Sequence, residues 1–358
     1  MNRRIRDFGY VIGKYKTGEK NKITDVPGVQ VGHWTVDEGM QHTGVTVVLP
    51  GKDNAYLEKY TAAVYVHNGF GKTCGLMQVE ELGTLETPVV LTNTLNVGKM
   101  ADALVAYMID ETRKEGEEIF SINPVVGECN DSRINRIQNR IAGENELRTA
   151  ISEAGPDFEE GNVGAGTGTV CYGLKGGIGS SSRIVRIGES PYTIGVLVQT
   201  NFGATEDLKV SGEPVGLRIK ECLRQEDGYN TEDRGSIMTV VATDLPVTER
   251  QLYRIIRRCG VGIARTGSYT GHGSGEVMIG FTTANRVKAG NGNVVDSCLR
   301  LREDMLNPVF DAVAESTEEA ILNSMTAAQA RQGLDGRWYR SLSEFLKIRD
   351  RQESAGQR

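Results

Sequence analysis

The chain changes character abruptly at Gly235 and Ser236. Residues 223–234 read LRQEDGYNTEDR, a charged and polar segment with almost nothing to bury. Residues 236–244 read SIMTVVATD, a short apolar and β-branched run that is typical of a buried strand. The sequence therefore predicts that residues 223–235 form a linker and that Ser236 is the first residue of a core strand.

Cleavage of the bond between Gly235 and Ser236 would leave Ser236 as a chain N-terminus held by a rigid strand. That residue would then carry a hydroxyl nucleophile and a free α-amine together, which is the N-terminal-nucleophile arrangement of a hydroxyl and its base. A loop that simply enters an ordinary strand gives the same local pattern. The rest of the chain has to discriminate between these two interpretations.

The composition is typical of a soluble globular protein. Of the 358 residues, 39% are hydrophobic and 25% are charged, and the formal net charge is −6. A chain of this length can bury a sizeable core. It has no sustained basic patch, which argues against nucleic acid as a partner. No run approaches the ~18 apolar residues of a membrane span, and the basic N-terminus lacks the apolar core of a secretory signal.

The cysteines predict a cytoplasmic protein. They are far apart and form no Cys-x-x-Cys pair, so in a chain without a secretory signal we expect reduced thiols. The six are Cys74, Cys129, Cys171, Cys222, Cys259 and Cys298. The four histidines lack the spacing of a zinc motif, so we expect neither a metal nor another cofactor. They are His33, His42, His67 and His272.

Strand and helix patterns are mixed on both sides of the predicted linker. Strand patterns lie at 23–50, 61–67, 88–94, 192–203 and 277–283, and helix patterns lie at 76–82, 97–114, 248–265 and 308–325. Residues 144–160 are polar and acidic and predict a surface connection, whereas the polar residues 350–358 predict a disordered tail. Both halves contain strands too apolar to stand alone, which predicts a single intertwined α/β domain over residues 1–358.

The glycine-dense stretch 161–185 suggests nucleotide binding, but it lacks the required spacing. A G-x-G-x-x-G fingerprint that starts at Gly164 or Gly166 needs glycine where the chain has Thr169 or Cys171. The P-loop and the G-x-S-x-G elbow of α/β-hydrolases are also absent, because the chain lacks the glycine spacing that each motif requires. The common nucleotide-binding and serine-hydrolase motifs are therefore excluded.

Two further polar features accompany the Gly235–Ser236 junction. The loop GHGSGE at 271–276 places Ser274 and Glu276 two residues apart, so a strand beginning there would put both side chains on one face. A hydroxyl beside a carboxylate can relay or orient a proton for a neighbouring nucleophile. Asn201, at the end of a buried run, offers an amide that could donate to a developing oxyanion. Ordinary turn chemistry explains the same two features.

Long segments of the chain resemble the L-aminopeptidase/D-esterase family (the DmpA type), which includes the β-peptidyl aminopeptidases. The resemblance spans nearly the whole chain, and the segments keep their order. They are ITDVPGVQVGHWT at 23–35, NGFGKTCGLMQVEELGTLETPVVLTNTLNVG at 68–98, NPVVGECND at 123–131, GNVGAGTGTVCYGLKGGIGSSSR at 161–183, VLVQTNFG at 196–203, GSIMTVVATDLP at 235–246 and the GHGSGE loop.

The resemblance implies a fold, a processing step and an activity. The fold is a four-layer αββα sandwich of the self-processing N-terminal-nucleophile type, similar to that of ornithine acetyltransferase. Family members cleave themselves at the Gly-Ser bond, here Gly235–Ser236, which would give an α chain of 1–235 and a β chain of 236–358. The resemblance further implies a homotetramer of cleaved αβ units. It implies an aminopeptidase for short peptides and amino-acid amides or esters with a free amine, which needs no cofactor.

The resemblance also implies roles for individual residues. Ser236 would be the nucleophile of both self-cleavage and turnover, with Ser274 and Glu276 as its supporting hydroxyl and carboxylate. Asn201 would supply the amide of the oxyanion hole. Glu128 would hold the free ammonium of the substrate, which would limit hydrolysis to the N-terminal residue.

Two positions depart from the family pattern. Asn130 stands where some relatives place a tyrosine that helps the oxyanion hole, and an asparagine donates over a shorter reach. Arg133 stands where relatives often carry an aromatic residue, which puts a cation near the predicted pocket. These departures affect which substrates are accepted. The sequence does not decide between α-amino and β-amino substrates, or between D and L substrates.

Two alternatives stay open from the sequence. An amidase or acyltransferase, acting for example on a β-peptide or an ω-amino amide, could use the same scaffold. A serine at the junction argues against close kinship with the forms that use a threonine nucleophile. A non-catalytic assembly protein could also retain the fold, because fold alone does not imply function.

Overall fold

Fourteen strands and seven α-helices form the described part of the chain, which comprises residues 3–224, 235–288 and 294–348 of a computed structural model. The strands are β1 Gln30–Glu38, β2 Gln41–Leu49, β3 Glu58–Gly69, β4 Thr84–Leu85, β5 Val89–Asn93, β6 Val125–Cys129, β7 Val170–Cys171, β8 Leu174–Lys175, β9 Gly177–Ile187, β10 Ser190–Asn201, β11 Ser236–Thr243, β12 Gly275–Lys288, β13 Arg331–Gln332 and β14 Trp338–Tyr339. The helices are α1 Leu76–Leu82, α2 Val97–Lys114, α3 Glu144–Ser152, α4 Val215–Arg224, α5 Glu249–Ile256, α6 Cys259–Arg265 and α7 Asn307–Thr326.

Two sheets carry the fold. One has four strands in the order β1-β2-β5-β6, and the other has six in the order β4-β3-β12-β11-β10-β9. Within these two sheets, β5 runs parallel to β6 and β11 runs parallel to β12, whereas the other neighbours are antiparallel. The parallel pairs bring the first residues of β11 and β12 together, and likewise the last residues of β5 and β6.

Three apolar clusters separate four layers of structure. Val90 and Leu104 belong to a cluster between the four-stranded sheet and helices α2 and α3. Leu91 and Met238 belong to a cluster between the two sheets. Ile255 belongs to a third cluster, which covers the other face of the six-stranded sheet with α4 to α7. Because alternate strand residues point to opposite faces, one strand supplies two clusters. The order helix, sheet, sheet, helix is the αββα sandwich that the resemblance implied.

Two boundaries predicted from the sequence are wrong. Residues 144–160, predicted as a surface connection, contain α3, whose Leu147 and Ala150 are fully buried against the four-stranded sheet. Two apolar residues one turn apart are enough to pack a short helix against a sheet, even when the surrounding residues are polar. The predicted linker also begins too early, because Leu223 is a buried residue of α4. Residues 225–234 and the predicted disordered tail at 350–358 lie outside the described residues.

The helix predicted at 248–265 is divided in two. α5 begins after Thr248, whose hydroxyl accepts from the Gln251 N–H at 3.3 Å and so caps the helix. The chain leaves the helix at Arg257 and resumes it at Cys259, so the apolar stripe continues across a break. Periodicity alone does not show such a break.

Three further findings concern the class of protein. No helix among the described residues is long and apolar enough to cross a membrane. All six cysteines are free. Within the described ranges, no group of three or more His, Cys, Asp or Glu side chains is arranged to hold a metal ion.

Candidate active site

A cavity of about 360 Å³ lies where strands of both sheets end. Its walls come from the end of β6, the end of β10, the start of β11 and the residues that follow β3 and β5. Six of the positions predicted from the sequence line it, namely Glu128, Asn130, Arg133, Asn201, Gly235 and Ser236. Residues far apart in the chain therefore meet because strand ends from the two sheets converge here.

Ser236 is fixed on both sides by its strand neighbours. It lies opposite Asn201 in the antiparallel pair of β10 and β11, and beside Gly275 in the parallel pair of β11 and β12. Met238, two residues further on, packs between the sheets, so the side chain of Ser236 points to the same face. Ser236 is only 6% exposed and lines the cavity. Its hydroxyl is thus held at the cavity wall by a rigid central strand.

The backbone of Gly235 packs tightly against the neighbouring strand. A Cβ added to Gly235 would lie 1.9 Å from the carbonyl oxygen of Asn201, so no other residue fits without a shift of that backbone. The carbonyl of Gly235 accepts a hydrogen bond from the N–H of Gly275 at 2.9 Å. The peptide before Ser236 is therefore held and polarised by β12.

The side-chain amide of Asn201 has a defined orientation. Its Oδ1 accepts a hydrogen bond from the Val170 N–H at 3.0 Å. Because an N–H can be met only by the carbonyl end of the amide, the Nδ2 end remains as a donor. Asn201 lines the cavity beside Ser236, so this donor is available to an oxyanion that forms there.

Lys175 holds the loop that supplies Val170. Its ammonium is fully buried and donates to the carbonyls of Gly166, Thr169 and Gly176 at 3.0, 2.9 and 2.9 Å. Burial lowers the pKa of Lys175 to about 7. The three carbonyls match the three donors of an ammonium, and they close the glycine-rich loop around it.

Glu128 is a buried carboxylate held by two donors. Its Oε1 accepts from the backbone N–H of Lys72 at 2.8 Å, and its Oε2 accepts from the hydroxyl of Thr94. The residue is 3% exposed and lines the cavity. These bonds fix the carboxylate while each oxygen keeps accepting capacity, so the arrangement can receive an ammonium group from the cavity.

Asn130 and Arg133 lie on the exposed loop that follows β6. The Oδ1 of Asn130 accepts from the Ser132 N–H at 3.0 Å, which is the geometry of an Asx turn. The carbonyl of Arg133 accepts from the Leu334 N–H at 2.9 Å. Both side chains therefore rise from a loop with an anchored backbone.

Ser274 and Glu276 are brought together, but behind the cavity wall. The hydroxyl of Ser274 donates to Oε1 of Glu276, and both residues are completely buried. Ser274 immediately precedes Gly275, the strand partner of Ser236. The pair therefore lies at the start of β12, next to the N-terminal end of β11.

Three residues around the site escaped the sequence analysis. Lys72 and Thr94 hold Glu128. Asn68 donates from Nδ2 to the carbonyls of Gly271, at 3.1 Å, and of Ser274, and so fastens the loop before β12 to β3. None of the three leaves a local pattern in the sequence, and Thr94 reaches Glu128 because it follows β5, which pairs in parallel with β6.

Comparison with known proteins agrees with this geometry. The model of Peptidase family S58 matches residues 21–339. The chain is 37% identical over 354 residues to the beta-peptidyl aminopeptidase BapA of Sphingosinicella microcystinivorans, which covers 93% of this chain and 88% of that protein.

Two solved structures are similar over almost the whole chain. The PH0078 protein from Pyrococcus horikoshii OT3 has a TM-score of 0.89 at 43% identity, with 97% of this chain and 98% of that chain covered. The L-aminopeptidase D-Ala-esterase/amidase from Ochrobactrum anthropi has a TM-score of 0.86 at 33% identity, with 98% and 96% covered. The latter is described as a prototype of the serine aminopeptidases and a variant of the Ntn hydrolase fold.

The fold and the family match define a peptide-bond hydrolase, a serine aminopeptidase of the N-terminal-nucleophile class. The chain belongs to peptidase family S58. The resemblance, the fold class and the enzyme class inferred from the sequence are thereby confirmed. None of these comparisons favours the acyltransferase or the non-catalytic alternative.

Proposed function

We propose that the chain cleaves itself between Gly235 and Ser236, and that Ser236 then serves as the nucleophile of an aminopeptidase. Its substrates are short peptides and amino-acid amides or esters with a free amine. The observation that carries the proposal is the position of Ser236 at the start of a central strand, beside Asn201 and in the same cavity as Glu128.

Self-cleavage begins when the hydroxyl oxygen of Ser236 attacks the carbonyl carbon of Gly235. The C–N bond breaks, the acyl group moves to the hydroxyl oxygen as an ester, and the α-amine of Ser236 is released. Water then hydrolyses the ester. The N–H of Gly275 already donates to the Gly235 carbonyl at 2.9 Å, so it stabilises the oxyanion as that charge develops.

Turnover uses the same hydroxyl on a substrate carbonyl. A free α-amine has a pKa of ~7.7–8.0, so part of it is neutral near pH 7 and can accept the hydroxyl proton. Ser274, which is bonded to Glu276 and immediately precedes the neighbouring strand β12, is the supporting hydroxyl. The Nδ2 of Asn201 donates to the oxyanion, the leaving amine takes the proton, and water hydrolyses the acyl-enzyme.

Glu128 limits the reaction to N-terminal residues. Its carboxylate pairs with the substrate ammonium, and a residue inside a chain has no such group. Asn130, on the exposed loop nearby, has amide donors for the bound substrate. The cavity volume of about 360 Å³ is near the lower end for ligand sites, which favours short substrates.

The proposal includes assembly of the cleaved αβ units into a homotetramer. Met77, which is 86% exposed, and Phe120, which is 89% exposed, are large apolar side chains that such an interface would cover. Sedimentation of the purified protein measures the mass of the assembly directly. The cytoplasmic location expected from the sequence stays a prediction.

Intact mass spectrometry of freshly purified protein tests the proposal. The wild type is expected to give two fragments, residues 1–235 and 236–358, and Ser236→Ala a single uncut chain without aminopeptidase activity. Circular dichroism of Ser236→Ala shows whether it is folded. Retained cleavage and turnover in a folded Ser236→Ala would refute the assignment of Ser236.

A further inference from the structure

The described residues that line the cavity carry more positive than negative charge. Among them the charged side chains are Glu128, Lys72 and Arg133, so their net formal charge is positive before a substrate binds. Once a substrate ammonium neutralises Glu128, two cations remain beside the bound molecule. A cavity with such an excess favours a ligand that brings a negative charge.

The ammonium of Lys72 is already partly engaged. It donates to the carbonyl of Phe70 at 2.6 Å and lies 4.4 Å from the centre of the Phe70 ring. These contacts tie it to its own loop and use part of its capacity as a donor. Lys72 therefore adds positive electrostatic potential to the cavity, but it is less suited to bind a ligand directly.

The guanidinium of Arg133 is different, because it has no ion pair within residues 3–224, 235–288 and 294–348. Its main chain is nevertheless fixed, since its carbonyl accepts from Leu334 and the preceding turn is closed by the bond from the Ile134 N–H to the Asp131 carbonyl at 3.1 Å. The structure gives Arg133 an electrostatic interaction with Tyr339, whose hydroxyl stays neutral because burial raises its pKa, so this cation on an anchored loop keeps its charge for a ligand.

Acidic groups close to Arg133 in the sequence, and on the hairpin of β13 and β14 that contacts its carbonyl, have partners of their own. The carboxylate of Asp131 accepts from the hydroxyl of Thr43 at 2.6 Å and from the amide of Asn135 at 3.0 Å. Asp335 pairs with Arg337 at 3.5 Å. Arg133 is thus available to bind a molecule that occupies the cavity.

We propose that Arg133 binds a carboxylate of the substrate, so that the enzyme selects short peptides with a carboxylate near the scissile bond over the matching amides. The inference rests on the proposed function, because it assumes that Glu128 holds the ammonium end. The planar guanidinium fork suits a carboxylate in two parallel hydrogen bonds, which a lysine cannot reproduce. The carboxylate is either the C-terminus of a dipeptide or an acidic side chain on its second residue.

The test compares substrates that differ only in that charge. L-alanyl-L-alanine carries the C-terminal carboxylate, L-alanyl-L-alaninamide carries none, and the α-amide of L-alanyl-L-aspartate carries it on the side chain. The β-alanyl counterparts cover β-amino substrates. Each is assayed with cleaved wild type, Arg133→Gln, Arg133→Lys and the control Arg113→Gln, whose residue lies exposed on α2 outside the cavity.

In Arg133→Gln we expect KM to rise about five-fold for the carboxylate substrates, the upper range for an exposed ion pair, with KM for the amide unchanged. Arg133→Lys should keep part of the preference, and Arg113→Gln all of it. Raising the ionic strength should weaken the preference of the wild type for the same reason.

The carboxylate substrate that shows the effect identifies the group that Arg133 binds. A loss confined to L-alanyl-L-alanine assigns the C-terminus, and a loss confined to the aspartate amide assigns the side chain. An equal change for acid and amide, or no change in Arg133→Gln, would overturn the proposal. Turnover of the amide, and its loss in Ser236→Ala, reports on the proposed function independently of Arg133.

Discussion

Asn201 owes its orientation to a backbone donor 31 positions earlier in the chain. The contact from the Val170 N–H turns the carbonyl of the amide away and leaves Nδ2 as the donor. The sequence predicts the residue type and its place after a buried strand. It does not predict Val170, because that contact depends on how the glycine-rich loop closes around Lys175.

Replacing the donor of Asn201 tests its proposed role. Asn201→Asp keeps an oxygen for the Val170 N–H but loses the Nδ2 donor, whereas Asn201→Ala loses both. For Asn201→Asp we expect kcat to fall by about 10²–10³ with little change in KM, the usual cost of one oxyanion-hole donor. Steady-state kinetics on a cleaved preparation measures this, and activity within ten-fold of wild type would contradict the role.

Gly235 is tested by adding one methyl group. In Gly235→Ala the new Cβ meets the Asn201 carbonyl oxygen, so the scissile peptide has to shift and processing should slow by an order of magnitude or more. The matched control is Gly98→Ala in α2, where the Cβ meets no atom within 4 Å. A time course of intact mass after purification follows cleavage, and equal rates in both variants would refute the packing argument.

Helices and strands show where sequence patterns succeed and fail. The long periodic helices α2 and α7 and the apolar strands β10 and β11 are all predicted, because burial of one face or of both leaves a repeating pattern. α3 is missed because its nine residues bury only Leu147 and Ala150. Partners supplied by the residues after other strands, such as Lys72 after β3 and Thr94 after β5 for Glu128, leave no local pattern at all.

α7 buries carboxylates as well as apolar residues. Glu319 is fully buried, and accepts from Arg6 at 2.6 and 2.8 Å and from the fully buried Arg183 at 2.7 Å. Glu315 pairs with Arg183 at 3.2 Å. The helix is therefore tied to β9 and to the N-terminal segment by charge as well as by packing.

Removing one charge from this group should destabilise the protein strongly. In Glu319→Gln two guanidinium groups lose a partner, one of them fully buried, and we expect the free energy of unfolding to fall by about 3–5 kcal/mol. The exposed pair of Arg302 and Asp304 supplies the control, Asp304→Asn, for which about 0.5 kcal/mol or less is expected. Urea unfolding measures both, and similar losses would contradict the importance of burial.

The whole molecule depends on a sheet that residues on both sides of Gly235 build together. β11 and β12, which follow Gly235, lie between β3 and β10, which precede it. The proposed α and β chains would therefore share the centre of one sheet, and neither would keep it alone. This arrangement supports a single intertwined domain. It also explains why apolar strands recur on both sides of the junction in the sequence.

The stability of the whole molecule should depend on pH through Glu318. Burial raises the pKa of Glu318 from 4.5 to about 7. Between these values the unfolded chain ionises while the folded chain stays protonated, so unfolding releases a proton. The contribution of Glu318 to the free energy of unfolding then falls as pH rises from about 4.5 to 7, by up to about 1.4 kcal/mol per pH unit, and levels off above 7.

Glu318→Gln removes this contribution. The free energy of unfolding of the variant, relative to that of the parent, should therefore rise as pH increases over that interval. Urea unfolding at pH 5, 6, 7 and 8 measures the difference. The parent is Ser236→Ala, because an uncut chain unfolds without dissociation of fragments. Glu81→Gln, at an exposed site of α1, is the control. A difference for Glu318→Gln that does not change with pH would mean that Glu318 is ionised in the folded protein throughout, with Arg265 at 3.9 Å outweighing the cost of burial.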